Sequence, residues 1–355
     1  MSSTLVKSGG QRAQMRVWFN QSFSMRNLVR RIVADRPHIQ LCVSAIDQDS
    51  PVRDVSPLFW TEPGRGETHY TDWLIETATQ RGIEALVPQR GKIGVARALD
   101  RFAASGIHVH IAADVDTLDL LDDKAAFSAS LADDPYLCPT TWVTTAAAFE
   151  AAVNATTRNG ATACVKPSRG VYGAGYWTLD ANGPLAHLAD PDARRIAPEV
   201  YAASLRHAEE VGDSFSLLVM EHLPGLEASV DIVADRGTVM LAAVRTKLDA
   251  NRQRIQTRHQ LTKHATELVR RHRLHGAVNV QYKQDRHGGW RILEINARAA
   301  GGASYCDAAG VPFCATWIDV VTGTANPFEA DVDIEVIAMV QAEPRQKGSA
   351  GICLP

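Results

Sequence analysis

The sequence has no apolar run approaching membrane-spanning length, no Cys-x-x-Cys pair and almost no excess of charge of either sign. Each absence excludes something. A spanning helix needs about 20 consecutive apolar residues, so no membrane partner is expected. The polar opening from Met1 to Gln14 lacks the apolar core of a signal peptide and reads as a flexible leader over residues 1–14. Six cysteines stand apart at positions 42, 138, 164, 306, 314 and 353. That spacing suits free thiols in a reducing cytoplasm, not a disulfide framework or a zinc site. A formal net charge of -3 offers nucleic acid and anionic membrane no electrostatic hold. No Gly-Lys-Ser/Thr follows a glycine loop, and no G-x-G-x-x-G follows the first strand, where Asn20-Gln21-Ser22-Phe23-Ser24 stands instead. No spacing demands a Ser, Cys or His nucleophile.

What is present is an ordinary globular composition, 45% hydrophobic and 22% charged, over 355 residues. That is enough for two or three packed units. Short apolar runs at Arg16–Phe19, Ile39–Ile46, Ala85–Val87 and Ile107–Ile111 alternate with helical patterns through Leu28–Val33, Thr71–Ala78 and Val95–Ala104. Continuous apolar strands between helices indicate a parallel sheet covered on both faces. Residues 15–115 therefore read as a small doubly wound domain, which either helps to bind a substrate or is purely structural.

Beyond it, Asp114–Leu121 reads as an acidic crossing segment, and Asp122–Phe127 opens a helix with aspartates at its positive end. Strands are expected at 140–144, 163–167 and 216–220, with an alanine-rich helix from Ala146 to Val153. Residues 228–234 and 238–244 form a hairpin around Asp235-Arg236-Gly237. His259, His264, His272 and His275 lack the i, i+4 spacing that would place two ligands on one helix face, so 260–272 reads as a solvated helix with Leu261, Leu268 and Val269 inward. Arg252, Arg254 and Arg258 fall in a loop, where they either hold an anionic substrate or merely keep the surface soluble. Strands at 276–282 and 291–296 follow, joined by a Gly288-Gly289 turn.

Two stretches carry chemistry. Lys166 ends a strand and three glycines follow, at 170, 173 and 175. A flap of backbone N–H groups beside a fixed positive charge suits nucleotide phosphates, although glycine-rich strand turns are common. In Leu293-Glu294-Ile295-Asn296-Ala297-Arg298 the polar residues alternate with apolar ones, so all three share one face of a strand. That face is either plainly solvated or a site where a hard cation meets an anion. Gln281 lies thirteen residues before Glu294 across the glycine turn, and antiparallel pairing would bring Gln281, Glu294 and Asn296 together as oxygen ligands.

Five ordered strings, DDKAAF, ACVKPSRGVYGAG, LLVMEHLPGLEASVDI, GAVNVQY and LEINARAAGG, span residues 122–302. Over about residues 114–323 the chain resembles the ATP-grasp superfamily, most closely the synthetase component of carbamoyl-phosphate synthetase and small-molecule carboxylate-amine ligases. The resemblance implies an α/β chain, α+β in its second part. A doubly wound parallel-sheet domain would precede an ATP-grasp domain over 116–330, with a small lid subdomain at about 140–218 and a larger antiparallel-sheet subdomain. A C-terminal strand and tail would fill 331–355.

The resemblance also implies roles. Lys124 and Lys166 would meet the ATP phosphates, with the loop of Ser168, Arg169, Gly170, Gly173 and Gly175 closing over them. Met220, Glu221 and Leu223 would face the adenine, and Glu227 the ribose hydroxyls. Gln281, Glu294 and Asn296 would hold Mg²⁺, with Mn²⁺ as an alternative. Arg298 would steady the transferred phosphoryl group, so that Arg298, Lys166 and Asn296 act in catalysis. The implied enzyme is a cytoplasmic ADP-forming ligase that activates a small-molecule carboxylate as an acyl phosphate and couples it to an amine. The alternatives are a small-acid kinase and a non-catalytic ATP-binding regulator. The resemblance allows a homodimer.

The chain departs from the carbamoyl-phosphate relatives in having one such unit, no glutamine-hydrolysing portion, Ala297 in place of a usual proline, and a small glycine-rich stretch from Ala299 to Ser304. A different substrate pocket is expected, with Arg245, Lys247, Arg252 and Arg254 hinting at an anionic substrate.

Overall fold

The computed structural model describes residues 14–22, 24–66, 68–170, 174–180 and 183–338. The expected leader, apart from Gln14, lies outside the described residues, as do Gly173 and the expected tail beyond 338. The chain divides into two units, one of residues 1–111, 314–326 and 341–355, the other of 112–313 and 327–340.

In the first unit, β1 (Arg16–Phe19), β2 (Gln40–Ala45), β3 (Leu58–Thr61), β4 (Ala85–Val87) and β5 (His108–Val109) form a wholly parallel sheet in the order β3-β2-β1-β4-β5. Helices α1 (Arg26–Asp35), α2 (Tyr70–Gln80), α3 (Lys92–Arg97) and α4 (Leu99–Ala104) connect these strands. Trp18 and Phe19 of β1 are fully buried, and Trp317 of the helix Phe313–Thr322 meets Phe19 edge-on at 5.0 Å.

Strand order reverses between β1 and β4, the place where open α/β sheets bind ligands. Here the polar groups at the strand ends bond to one another. Buried Glu62 accepts from Ser44 Oγ at 2.7 Å, from Tyr70 Oη at 2.7 Å and from the Gln21 N–H, and lies 3.3 Å from Arg90 Nη1. Asn20 Nδ2 donates to Tyr70 Oη at 2.8 Å. Burial and the Glu62 charge together raise the Tyr70 pKa.

The second unit holds two sheets. β6 (Thr140–Val143), β7 (Ala163–Pro167), β8 (Trp177–Leu179), β9 (Arg195–Ile196) and β10 (Leu217–Glu221) run in the order β6-β10-β7-β8-β9. The other sheet, antiparallel throughout, comprises β11 (Glu227–Asp235), β12 (Thr238–Lys247), β13 (Arg252–Gln256), β14 (Gly276–Gln284), β15 (Trp290–Asn296) and β16 (Asp333–Ile337), in the order β15-β14-β11-β12-β13-β16. The helices of this unit are α5 (Val115–Asp122), α6 (Lys124–Ser130), α7 (Ala146–Thr157), α8 (Ala186–Ala189), α9 (Pro198–Glu210), α10 (Gln260–Arg271) and α11 (Ser304–Ala308).

In the smaller sheet, Phe149 and Val153 of α7 and Leu205 of α9 pack on Val165 and Val219. In the larger, Leu261, Ala265, Leu268 and Val269 of α10 are fully buried, three of them as the apolar spacing predicted. The hairpin turn between β11 and β12 has positive φ at both Arg236 (45°) and Gly237 (94°), as its tight geometry requires. Among the described residues no helix is long and apolar enough to cross a membrane.

Two expectations are corrected. Asp114–Leu121 is not a crossing segment: Asp114 is the N-cap of helix α5, accepting from Thr117 N at 2.8 Å, and the following residues form all but the last residue of that helix. Arg252 and Arg254 are not in a loop. They lie on the exposed face of β13, whose other face buries Gln253 and Ile255, and they bond Asp249 and Asp333.

Burial lowers the pKa of His222, His259 and His272 from the usual 6.5. The unfolded chain therefore takes up these protons first as pH falls through about 6.5, and stability is lost as pH drops further through the folded-state values. Denaturant titrations at about pH 7.5 and about pH 5.5 are expected to show that loss, and to show a smaller one in His272→Gln. An equal loss in both would remove this histidine from the account.

Candidate active site

Lys124 is the first residue of α6, and its position follows from the cap. Asp123 accepts from Ala125 N at 2.9 Å and Ala126 N at 3.1 Å, which fixes the start of the helix. The Lys124 ammonium donates to Gly170 O at 2.8 Å and lies 3.3 Å from Glu294 Oε2. It thus joins the glycine loop to the end of β15. Lys166 lies on β7 across from Leu218 on β10. Burial is the largest influence on its ammonium and lowers its pKa, with Glu294 pulling the other way.

Gln281 on β14 is paired in register with Glu294 on β15, and Asn279 with Asn296. Beyond the Gln281–Glu294 pair Tyr282 faces Ile292, so Leu293 of β15 is the extra residue of a bulge beside Glu294. Asn296 Nδ2 donates to Glu294 Oε1 at 2.9 Å. Arg298 lies two residues beyond the strand end.

One cavity of about 510 Å³ brings together Lys124, Lys166, Gly170, Met220, Glu221, Leu223, Glu227, Gln281, Glu294 and Arg298. Its apolar side is a slot lined by Met220, Leu223, Cys164, Tyr176 and Leu293, which cluster with the buried Cys138. Tyr176 Oη is held 2.6 Å from His222 Nδ1, and Glu221 Oε1 is 3.4 Å from Arg286 Nε.

The other expected residues lie elsewhere. Arg169 pairs with Asp119 at 3.0 Å and Asp123 at 3.2 Å on an exposed surface. Ser168 is buried and shares a 2.7 Å hydrogen bond with Ser216. Neither these two nor Gly175 and Asn296 line the cavity.

Gly175 has a conformational reason to be glycine: φ is +75°, and a Cβ would lie 2.7 Å from Pro167 Cγ. Gly175→Ala is expected to destabilise the protein by roughly 1–3 kcal/mol and to weaken nucleotide binding, as thermal unfolding and a binding titration would show. Unchanged values for both would mean that the loop tolerates a side chain there.

Arg245 is also corrected. It does not offer its cation to an anionic substrate but is a buried residue of β12, bonded to Asp231 Oδ2 at 2.8 Å and Gln253 Oε1 at 2.8 Å. Asn279 Nδ2 donates to Asp231 Oδ1 at 2.8 Å. Gly302 sits on this network, since a Cβ there would lie 2.7 Å from Arg245 Nη1. Cys306 is fully buried, with Sγ 3.9 Å from Asp231 Oδ2, and burial raises its thiol pKa well above the usual range. A thiol held neutral is a poor nucleophile.

Sequence reasoning missed Tyr176, Arg194 and Lys283, all of which line the cavity. For Lys283 a signal existed, since it lies two residues beyond Gln281 on the same strand face.

Residues 213–343 match the model of a family described as ATP-grasp in the biosynthetic pathway with Ter operon, which covers less than half of the chain. The structure is similar to N5-carboxyaminoimidazole synthetase from Staphylococcus aureus, with a TM-score of 0.64 at 13% identity over 88% of this chain and 78% of that one. The chain has an ATP-grasp fold. The same ATP-grasp likeness extends to biotin carboxylase from Campylobacter jejuni, with a TM-score of 0.63 at 15% identity over 90% and 73% of the two chains. It extends also to L-amino acid ligase from Bacillus licheniformis, with a TM-score of 0.59 at 12% identity over 88% and 75%. No curated protein matches the sequence.

Proposed function

We propose that this ATP-grasp chain is an ADP-forming ligase that activates a small-molecule carboxylate as an acyl phosphate and couples it to an amine. The observation that carries this reading is one cavity in which Lys124 and Lys166, the Glu294–Gln281 oxygen pair and Arg298 adjoin an apolar slot. The slot takes the base of ATP between Met220, Leu223 and Tyr176. Lys124 and Lys166 meet the phosphates, and Arg298 meets the group being transferred.

The donor set fits magnesium. Glu294 and Gln281 line the cavity with a carboxylate and an amide oxygen, and Asn296, outside the lining but bonded to Glu294, is the third candidate oxygen ligand. Among the described residues, no group of three or more His, Cys, Asp or Glu forms a metal cage. Mg²⁺ characteristically takes one or two carboxylates and fills its shell with phosphate and water; Mn²⁺ has similar demands. When bound, the cation would neutralise phosphate charge. Glu294 already pairs with a cation, Lys124, at 3.3 Å.

A carboxylate approaching ATP is repelled by its phosphates. Lys124, Lys166 and Arg298 offset that repulsion as the γ-phosphoryl group passes to the carboxylate oxygen and ADP leaves. The amine then attacks the acyl carbon and phosphate departs. An acyl phosphate hydrolyses in water, so Lys124 holding Gly170 of the loop beside the site has a protective purpose. The matched family is described by a biosynthetic pathway, and structures of similar fold carry the names synthetase, carboxylase and amino acid ligase, which supports a small-molecule substrate, an amino acid or specialised metabolite.

Purified protein with MgATP and a mixed panel of acids and amines tests the reading. ADP and phosphate release that needs both an acid and an amine is expected. Release with acid alone would mean a small-acid kinase, and nucleotide binding without turnover a non-catalytic regulator.

A further inference from the structure

β15 is an end strand of the larger sheet, with β14 as its neighbour. On it Ile292 and Ile295 are both buried, although residues three apart on a regular strand face opposite ways. Between them Leu293 and Glu294 both line the cavity, although consecutive residues would also face opposite ways. The bulge at Leu293 reconciles the two. It gives the apolar slot Leu293 and the candidate cation site Glu294 from adjacent positions. Losing it would shift the pairing by one residue and turn side chains to the other face. The outer edge of the strand is covered at this point by the chain between α6 and β6. Leu137 forms a parallel bridge with Ile292, Tyr136 O accepts from Ile292 N at 2.7 Å, and Pro135 O accepts from Arg291 Nη1 at 3.2 Å.

A row of hydrogen bonds anchors this covering segment to the elements behind it. Asp134 Oδ1 accepts from Tyr136 N at 2.8 Å, and Asp134 Oδ2 lies 2.8 Å from His264 Nε2 of α10. His264 Nδ1 lies 2.8 Å from Tyr282 Oη of β14, and the Tyr136 ring stacks on the imidazole at 4.3 Å. A carboxylate only accepts, so Nε2 of the neutral ring carries the proton and Nδ1 accepts from the tyrosine hydroxyl. Burial, and after it the Asp134 charge, raise the Tyr282 pKa, which keeps that hydroxyl protonated. Tyr282 is fully buried directly across from Ile292. The relay therefore reaches the bulge from the neighbouring strand, and the covering segment reaches it from the edge.

We infer that Asp134, His264 and Tyr282 are positioning residues, whose relay holds residues 134–137 against β15 and so fixes the bulge that aims Glu294 at the divalent cation of the nucleotide. The inference rests on the cation reading of Glu294 given above. None of the three lines the cavity, so they act through Ile292 and the bulge. Removing groups that orient a ligand from outside the coordination shell costs about 10- to 100-fold in metal affinity.

Titration calorimetry of ADP on the full chain, over a series of Mg²⁺ concentrations and without the metal, tests it. Mg²⁺ is expected to strengthen ADP binding by wild type. In His264→Leu and Tyr282→Phe the Mg²⁺ concentration that gives half of this strengthening is expected to rise by about 10-fold, with little change in metal-free ADP affinity. Asp134→Asn is expected to stay near wild type, because the amide accepts from Tyr136 N and donates to Nε2, which reverses the relay without breaking it. A purely structural role would weaken ADP equally with and without the metal, and that result would overturn the inference. So would a Mg²⁺ requirement unmoved in Tyr282→Phe, which keeps the ring and decides the matter where His264→Leu does not fold. Wild-type ADP binding indifferent to Mg²⁺ would overturn the cation reading and this inference together, whereas a wild-type Mg²⁺ effect retained in the variants would overturn this inference alone.

Discussion

Glu294→Gln is expected to lower ATP-dependent turnover by about 10²- to 10³-fold, the usual effect of removing one preorganised electrostatic contact from a transition state. The substitution keeps the shape of the side chain and its pairing across from Gln281, so it removes charge and little else. Glu294 is the one carboxylate in the Gln281–Glu294–Asn296 set, and the amide variant leaves only neutral donors for a divalent cation. Lys124 also loses the partner it has at 3.3 Å. Two consequences separate this from simple misfolding. The magnesium concentration for half-maximal rate should rise, and thermal unfolding should change little, because Glu294 is only partly buried. Full activity at ordinary magnesium would remove Glu294 from the cation site.

Lys166→Met is expected to move activity and stability in opposite directions. The ammonium lies at the end of β7, where burial is the largest influence and lowers its pKa, Lys124 lowers it further, and Glu294 is the largest opposing influence. Methionine fills much of the same volume without the desolvated charge, so the variant should unfold at the same temperature or a higher one. Its kcat/KM for ATP should fall by about 10²-fold or more if Lys166 is the phosphate contact proposed above. Arginine would keep the charge but present a planar fork instead of a point, so Lys166→Arg should recover only part of the loss. Loss of stability together with activity would mean that Lys166 serves the fold instead.

How far the sequence foretells the structure depends on where each element's signal lies. β1, β2 and β4 are legible because their apolar runs are continuous, as strands buried on both faces must be. β3 escaped because it is four residues long and follows a short 3₁₀ turn at Pro51–Val55 instead of a helix. β8 and β9, of three and two residues, carry too little pattern to read. In β13 the two exposed arginines mask an alternation that buries Gln253 and Ile255.

The site divides in the same way. Glu294 and Gln281 could be matched because strand alternation and one hairpin place them together. Arg245 reads as an available cation, and only the fold shows it bonded to Asp231 and Gln253 beneath Gly302. Arg169 sits in a loop that motif reasoning assigns to phosphate, yet Asp119 and Asp123 on neighbouring helical segments draw it outward. Tyr176 and Arg194 reach the cavity through tertiary placement, for which no local spacing is a signal.

The central claim is that a carboxylate oxygen attacks the γ-phosphoryl group of ATP. Its most direct test follows isotopically labelled carboxylate oxygens in acids of the panel, with MgATP and an amine, and reads the released phosphate by mass spectrometry. The acyl phosphate route predicts ADP as the nucleotide product and one labelled oxygen in each phosphate released during amide formation. Amide formed with AMP as the product, or with unlabelled phosphate, would contradict it.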